Sequence, residues 1–442
     1  MTSSKLSHSI TTKLRIILMI LCFITYCSLD SLSEVLGIKQ ILCLGLKSVF
    51  LGIAAYLFLS FFHNLPHGEI HPPKAISPIS TFASLFYTND SLLILRFFAA
   101  FCVFSTHAVI LLHPDSLMGN KFIVGCAHSG MAIFFTLSGY LMGKAFIYKR
   151  YEFNQLGILK FYKNRFIRIA PLAFSVFIIY VTLMYPEKIK HNLLDMWRVF
   201  AFHFYGSGVY GLPGIGALWS LTVEMQYYLI TPFIFYCFRD VLAKKKIAIF
   251  AIPLCVGLVY LNQHFHLTVL NSSPQFFSTL QGQLPYFLIG FALNYLIKDF
   301  ISSPIKTWSK RYFYFQTFLL TLEFIIFFAL LAYFQKIMYQ WTLIGASLAS
   351  CYFILRLEIF KFGAKDFSKK INFYTTLQSL GGLSYGFYLW HSGIGFVYYN
   401  SVKPTYSGMG DYILECTILA GITIFVSIWS YIFIERHFMR SR

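Results

Sequence analysis

Charge is scarce in this chain, and negative charge is scarcest: 17 Asp and Glu stand against 36 Lys and Arg in 442 residues. All four types together reach only 12%, against 57% hydrophobic and 19% aromatic residues, which leaves no room for the exterior of a water-soluble domain. The chain therefore reads as an integral membrane protein. Its nine cysteines are scattered, mostly inside apolar runs, as at Cys22, Cys102, Cys237 and Cys351. Without a CxxC or a Cys/His cluster of ligand spacing, neither a disulfide framework nor a metal site is expected. No internal repeat is visible, which disfavours transporter folds built from duplicated halves. Nor does a small-residue cleavage site follow "IILMILCFITYCSL", so this first apolar run reads as an uncleaved anchor.

What the chain does have is apolar runs of about 17 to 24 residues, enough to cross roughly 30 Å of hydrocarbon as helices. The short alternating strands of a membrane barrel are missing. The expected fold is all-α, a polytopic transmembrane bundle with about 12 helices. The spans fall near 14–30, 41–62, 91–112, 129–147, 169–186, 217–237, 247–263, 281–297, 312–334, 338–356, 382–399 and 411–434. A Pro-, Ser- and His-rich stretch, "HNLPHGEIHPPKAISPISTFASLFYTND", reads as a linker. It divides the chain into a two-helix N-terminal extension, residues 1–90, and a ten-helix body, residues 91–442, with no soluble domain attached.

Basic residues orient the bundle, because cytoplasmic loops accumulate Lys and Arg. With the N-terminus inside, about 27 of the 36 face the cytoplasm, in loops that hold Lys149 to Arg168, Arg239 to Lys246 and Lys361 to Lys370. Both termini are then cytoplasmic. The formal charge of +19 follows from this asymmetry and from attraction to anionic membrane lipids, so nucleic acid is not an expected partner.

Ionisable groups within spans are functional candidates, since each costs about 2.5 to 3.5 kcal/mol to insert. The segment "SLLILRFFAAFCVFSTH" carries two, Arg96 and His107. Their spacing is three helical turns plus roughly 20°, which puts them on one stripe about 16 Å apart. Arg96 could snorkel to headgroups or hold an anion; His107 could pack or pass protons. In "MAIFFTLSGYLMGKAF", Ser138 and Gly139 suit either close helix contact or a polar lining. "LKFYKNRFIRIAPL" puts Arg165 and Arg168 on one helical face among aromatics, for anionic lipid or for a phosphate. Glu224, in "GALWSLTVEMQYYLITPF", needs a partner, a proton or water, and His107 at similar depth is one candidate partner. "GGLSYGFYLWHSGIGF" adds Ser384, Tyr388, Trp390 and His391; aromatic belts account for the Tyr and Trp but not for the His.

In this order, "LRFFAAFCVFSTH", "FFTLSGYLM", "RFIRIAPL", "LWSLTVEMQYYL", "LPYFLIGFAL" and "LSYGFYLWH" resemble membrane acyltransferase family 3, which includes bacterial O-antigen and other cell-envelope O-acetylases. The resemblance covers about residues 91 to 435. It implies transfer of an acyl group, usually acetyl, from cytoplasmic acyl-coenzyme A to a glycan hydroxyl beyond the bacterial inner membrane. The expected acceptor is a cell-surface or lipid-linked glycan such as lipopolysaccharide O-antigen. By motif, His107, Glu224 and Arg96 match catalytic positions, with Arg96, Arg165 and Arg168 toward the coenzyme phosphates. Ser138, Trp219, Ser220, Tyr388 and His391 are left as candidates for the acceptor, and acetyl-coenzyme A is the expected co-substrate, without a metal. A homo-oligomer stays open. The sequence departs from the family at its extra first 90 residues and at "IERHF", where His437 stands for a frequent Pro. The hydrolase-like domain fused to some relatives is also not expected. The alternative from another class is a proton-coupled transporter of an anionic sugar or lipid-linked substrate that uses Arg96, His107 and Glu224.

Overall fold

The computed structural model describes residues 12–25, 90–112, 126–184, 198–204, 216–243, 245–268, 278–302, 308–364, 372–404 and 408–439, plus scattered single positions. The second expected span, 41–62, and the linker 63–89 lie largely or wholly outside them. Among the described residues no strand occurs. Residues 12–25 are helical. Ten longer helices follow: α1 (Leu92–Leu112), α2 (Ala127–Ile147), α3 (Gln155–Met184), α4 (Trp219–Leu242), α5 (Lys245–Thr268), α6 (Leu280–Ser302), α7 (Lys310–Ile337), α8 (Tyr339–Gly363), α9 (Phe373–Val402) and α10 (Met409–Ser430). A π-helical turn, Tyr431–Glu435, leads to the short α11 (Arg436–Met439).

Six of these, α1, α2, α3, α7, α8 and α10, are long and apolar enough to cross a membrane. Large apolar side chains face outward on them, among them Phe318 and Ile325 on α7 and Phe425 on α10, each about three-fifths exposed. Water would not tolerate that surface, whereas lipid matches it. The chain is an integral membrane helical bundle.

Several helices outrun the apolar spans. The clearest case is α3, which begins at Gln155, well before the expected 169, and takes in the whole basic-aromatic stretch. Asn154 sets that start, accepting from the Gly157 backbone N–H at 2.7 Å through its side chain. Asn372 opens α9 in the same way, in a reciprocal capping box with Thr375.

The chain divides into two compact units, one of Met1–Pro73, Ser138–Phe166 and Leu221–Leu296, the other of Lys74–Leu137, Ile167–Ser220 and Ile297–Arg442. Within the first, α2 and α6 meet backbone to backbone. A Cβ added to Gly139 would lie 1.9 Å from the Phe287 carbonyl oxygen, so only glycine permits the approach. Beside it the Asn294 amide donates to the Tyr140 carbonyl at 2.8 Å, and Tyr227 of α4 stacks on Phe287 at 3.9 Å.

Within the second unit, α9 packs most extensively on α1 and then on α10. Gly381 makes the α9–α1 contact: a Cβ there would lie 1.9 Å from the Leu93 carbonyl oxygen. Hydrogen bonds between the Thr136 and Ser347 hydroxyls (2.8 Å) and from Ser91 to the Leu357 carbonyl (2.5 Å) join further helices without charge. Charge also enters the bundle: Arg356 of α8 donates to Gln316 at 2.7 Å and pairs with Glu323 at 3.4 Å, both on α7.

Candidate functional site

The α1–α9 contact sets the first polar group. Because the two helices touch near Leu93 and Gly381, α1 and α9 run on together until His107 meets His391, with Nδ1 of His107 2.5 Å from Nε2 of His391. His391 is buried and His107 half-buried. Phe104 and Phe387, both buried, flank the pair. His391 is bonded through its other nitrogen to the Tyr388 carbonyl at 2.6 Å. One turn back, the Tyr388 hydroxyl donates to the Ala217 carbonyl at 2.9 Å and lies 2.8 Å from the Ser220 hydroxyl. Tyr388 and Ser220 therefore tie α9 to the 3₁₀ turn Gly216–Leu218 that opens α4. Trp219, the first residue of α4, sets its ring edge-on to Phe135 at 6.1 Å. The exposed His128, in the first turn of α2, is close enough to interact electrostatically with His107.

The second group lies in the other unit. Glu224 accepts from the Ser138 hydroxyl at 2.9 Å and from the Tyr228 hydroxyl, one turn further along α4. Ser138 and Tyr228 are buried, so both donors are held in place before anything binds. Ser138 directly precedes Gly139, the residue at which α2 meets the Phe287 backbone of α6. Arg165 lies over the Phe161 and Tyr228 rings at 5.7 Å each, and its Nε has no hydrogen-bond partner among the described residues. It also acts on Tyr151, in the turn before α3. Burial pushes that phenol up, but Arg165, Asn164 and Arg150 outweigh it and hold Tyr151 below its ordinary value.

Arg168, one turn after Arg165 on α3, has a different environment. It pairs with the buried Glu435 at 3.2 Å and lies over the Tyr385 ring at 5.6 Å. The π-helical turn Tyr431–Glu435 places that carboxylate beside Gly386, where a Cβ would lie 3.5 Å from a Glu435 oxygen. Arg96 is half-buried on α1, eleven positions before His107 on the same continuous helix.

The structure thus brings together His107 with His391, Tyr388 with Ser220, and Ser138 with Glu224. Sequence reasoning missed Tyr228 and Glu435 as partners, and the Arg356–Glu323 pair altogether. Tyr228 stands four residues after Glu224, a spacing that announces contact on a helix. Among the described residues no cluster of three or more His, Cys, Asp or Glu gathers as a metal site. The polar groups instead suit proton transfer at an imidazole and fixed hydrogen bonding at a carboxylate.

Comparison with known proteins points the same way. Residues 89–432 match the model of a family described as an acyltransferase domain. The chain is similar to a peptidoglycan O-acetyltransferase, OatA, of Listeria monocytogenes, 27% identical over 283 residues that make up 59% of this chain and 44% of the relative. It is also similar to Nodulation protein 10 of Rhizobium leguminosarum, 29% identical over 190 residues, 40% of this chain and 51% of that one. An O-acetyltransferase OatA of Staphylococcus aureus is 29% identical over 119 residues, 24% of this chain and 19% of the relative. The matched stretches thus span about half or less of these curated relatives. No solved structure matches the chain.

Proposed function

Because the chain belongs to this acyltransferase family, we propose that it is a membrane O-acyltransferase moving an acetyl group from acetyl-coenzyme A to a hydroxyl of a cell-envelope glycan. Residues 91–442 form the acyltransferase body in this reading, and residues 1–90 an extension. The observation that carries it is the His107 imidazole, which stands on the same helix as Arg96 and is held there by His391 of α9. The rise of about 16 Å between Arg96 and His107 suits a pantetheine arm whose phosphates stay at the arginine end.

In the reaction, Nε2 of His107 takes the proton of the acceptor hydroxyl as its oxygen attacks the thioester carbonyl carbon. The tetrahedral intermediate collapses, the carbon–sulfur bond breaks, and the leaving thiolate takes the proton back from the imidazolium. Glu224 supplies a fixed carboxylate held by Ser138 and Tyr228, and Arg96, Arg165 and Arg168 bind the donor. Trp219, Ser220, Tyr388 and His391 line the acceptor side. The protein sits in the bacterial inner membrane with both termini cytoplasmic, the arginine end of α1 inward and the histidine end outward.

Full-length protein in proteoliposomes, given acetyl-labelled coenzyme A, tests this. Label should move to added glycan, and His107→Ala should abolish transfer while the protein still folds into the membrane. Two acceptors are offered in parallel, lipopolysaccharide O-antigen and peptidoglycan, the latter being what the Listeria relative is named for. Donor that neither binds nor loses label beside either glycan overturns the acyltransferase reading.

A further inference from the structure

His107 does not stand alone, and its partner decides which of its nitrogens is free. The two imidazole planes differ by only 8°, and their centroids are 4.8 Å apart. That separation equals the 2.5 Å between nitrogens plus one ring radius at each end, so the rings meet edge to edge in nearly one plane. The in-plane lone pair of one nitrogen then points straight at the N–H of the other.

The proton assignment follows from the far end. A backbone carbonyl only accepts, so the 2.6 Å contact with Tyr388 requires His391 to carry its proton on Nδ1. Nε2 of a neutral His391 is therefore an acceptor, and the proton in the 2.5 Å bond belongs to Nδ1 of His107. Nε2 of a neutral His107 is left with a lone pair and no proton.

We propose that His391 is a positioning residue that holds His107 as the Nδ1–H tautomer, so that His107 Nε2 is the base toward the acceptor hydroxyl. The inference rests on the acyltransferase reading and deepens it. When Nε2 takes the acceptor's proton, the new imidazolium keeps its Nδ1–H bond to His391, and His391 keeps its bond to the Tyr388 carbonyl. No proton has to leave the chain, because the relay orients and does not conduct. An imidazole backed by a carbonyl here does the work that a carboxylate does behind the histidine of a serine hydrolase.

Two measurements test it. In ¹⁵N-histidine-labelled full-length protein in lipid, magic-angle-spinning NMR reads the tautomer of each imidazole, and the His107 signal is identified by its loss in His107→Gln. The expected result is an Nδ1–H His107 that changes to the Nε2–H form or a mixture in His391→Phe. An Nε2–H or charged His107 in the wild type overturns the proposal. Kinetics form the second arm: His391→Phe fills the ring's space but accepts nothing, while His391→Gln returns an acceptor near the position of Nε2. The former should lower kcat about 10²-fold or more with KM for acetyl-coenzyme A nearly unchanged, and the latter should recover most of it. Wild-type kcat in His391→Phe, beside an inactive His107→Ala, overturns the positioning role alone. An active His107→Ala overturns the acyltransfer base itself and the relay with it.

Discussion

Arg168 on α3 and Glu435 in the π-helical turn after α10 form an ion pair 3.2 Å long, although 267 positions separate them in sequence. The Glu435 side chain is 2% exposed and the Arg168 side chain 19%. Removing one member of such a pair leaves a nearly dry charge behind, which typically costs about 3 kcal/mol. Glu435→Ala should therefore lower the unfolding temperature in detergent by several degrees. Arg168→Lys should lose part of the same stability, because an ammonium does not reproduce the planar guanidinium fork that faces Glu435 beside the Tyr385 ring. A double-mutant cycle on Arg168 and Glu435 checks the assignment; additive losses would show that the two do not act as a pair.

Glu224 offers a second test, because its carboxylate accepts from two donors, Ser138 and Tyr228. Hydrogen bonds to a charged group contribute about 1.5 to 3 kcal/mol each. Ser138→Ala and Tyr228→Phe should each destabilise modestly, and both should lower transfer by about tenfold, since the carboxylate is then less firmly aimed. Glu224→Gln keeps the shape and loses the charge. It should fold normally and lose at least 10²-fold in kcat, measured with labelled acetyl-coenzyme A. Wild-type turnover in Glu224→Gln would remove this residue from the machinery.

Much of the fold was legible because a membrane span declares itself by length and apolarity, and that is a local property. Helix ends were less so. α3 begins at Gln155 because a helix can carry Lys and Arg through the interface while its backbone stays internally bonded, and no apolar run marks that part. Arg356 and Glu358 lie within α8, inside the stretch Trp341–Gly363 that is apolar enough to cross a membrane, and Arg356 is satisfied by Gln316 and Glu323 on α7. Such partners sit on another helix, and no single-helix reading finds them. The same holds for the site. His107 and His391 were each suspect as polar groups in apolar runs, but their contact spans 284 positions and is set by Gly381 closing on Leu93.

The glycines permit a sharper contrast. Gly139 and Gly381 each leave a gap that a Cβ would close to 1.9 Å from a backbone oxygen, so alanine must push two helices apart. Gly257 and Gly345 are also helical but have nothing within 4 Å of that position. Gly139→Ala and Gly381→Ala should lower the unfolding temperature and reduce transfer, because each contact positions a polar group. Gly257→Ala and Gly345→Ala should be neutral or stabilising by up to about 1 kcal/mol, through helix propensity alone. Equal losses in all four variants would contradict these two close approaches.

Tyr388 separates a structural from an acceptor-binding role. Its hydroxyl donates to the Ala217 carbonyl and meets Ser220 at the turn that opens α4. Tyr388→Phe removes one of two donors to the buried Ala217 carbonyl, the Ser220 hydroxyl at 3.1 Å being the other, and should cost about 1 kcal/mol. If these hydroxyls also receive the glycan, Tyr388→Phe and Ser220→Ala should raise KM for the acceptor several-fold and leave KM for acetyl-coenzyme A unchanged, because binding is lost equally in ground and transition states. Steady-state kinetics with each substrate varied in turn distinguish the cases. A loss confined to stability, with both KM values at wild-type levels, would make the Tyr388–Ser220 contact a tie between helices and move acceptor recognition elsewhere in the bundle.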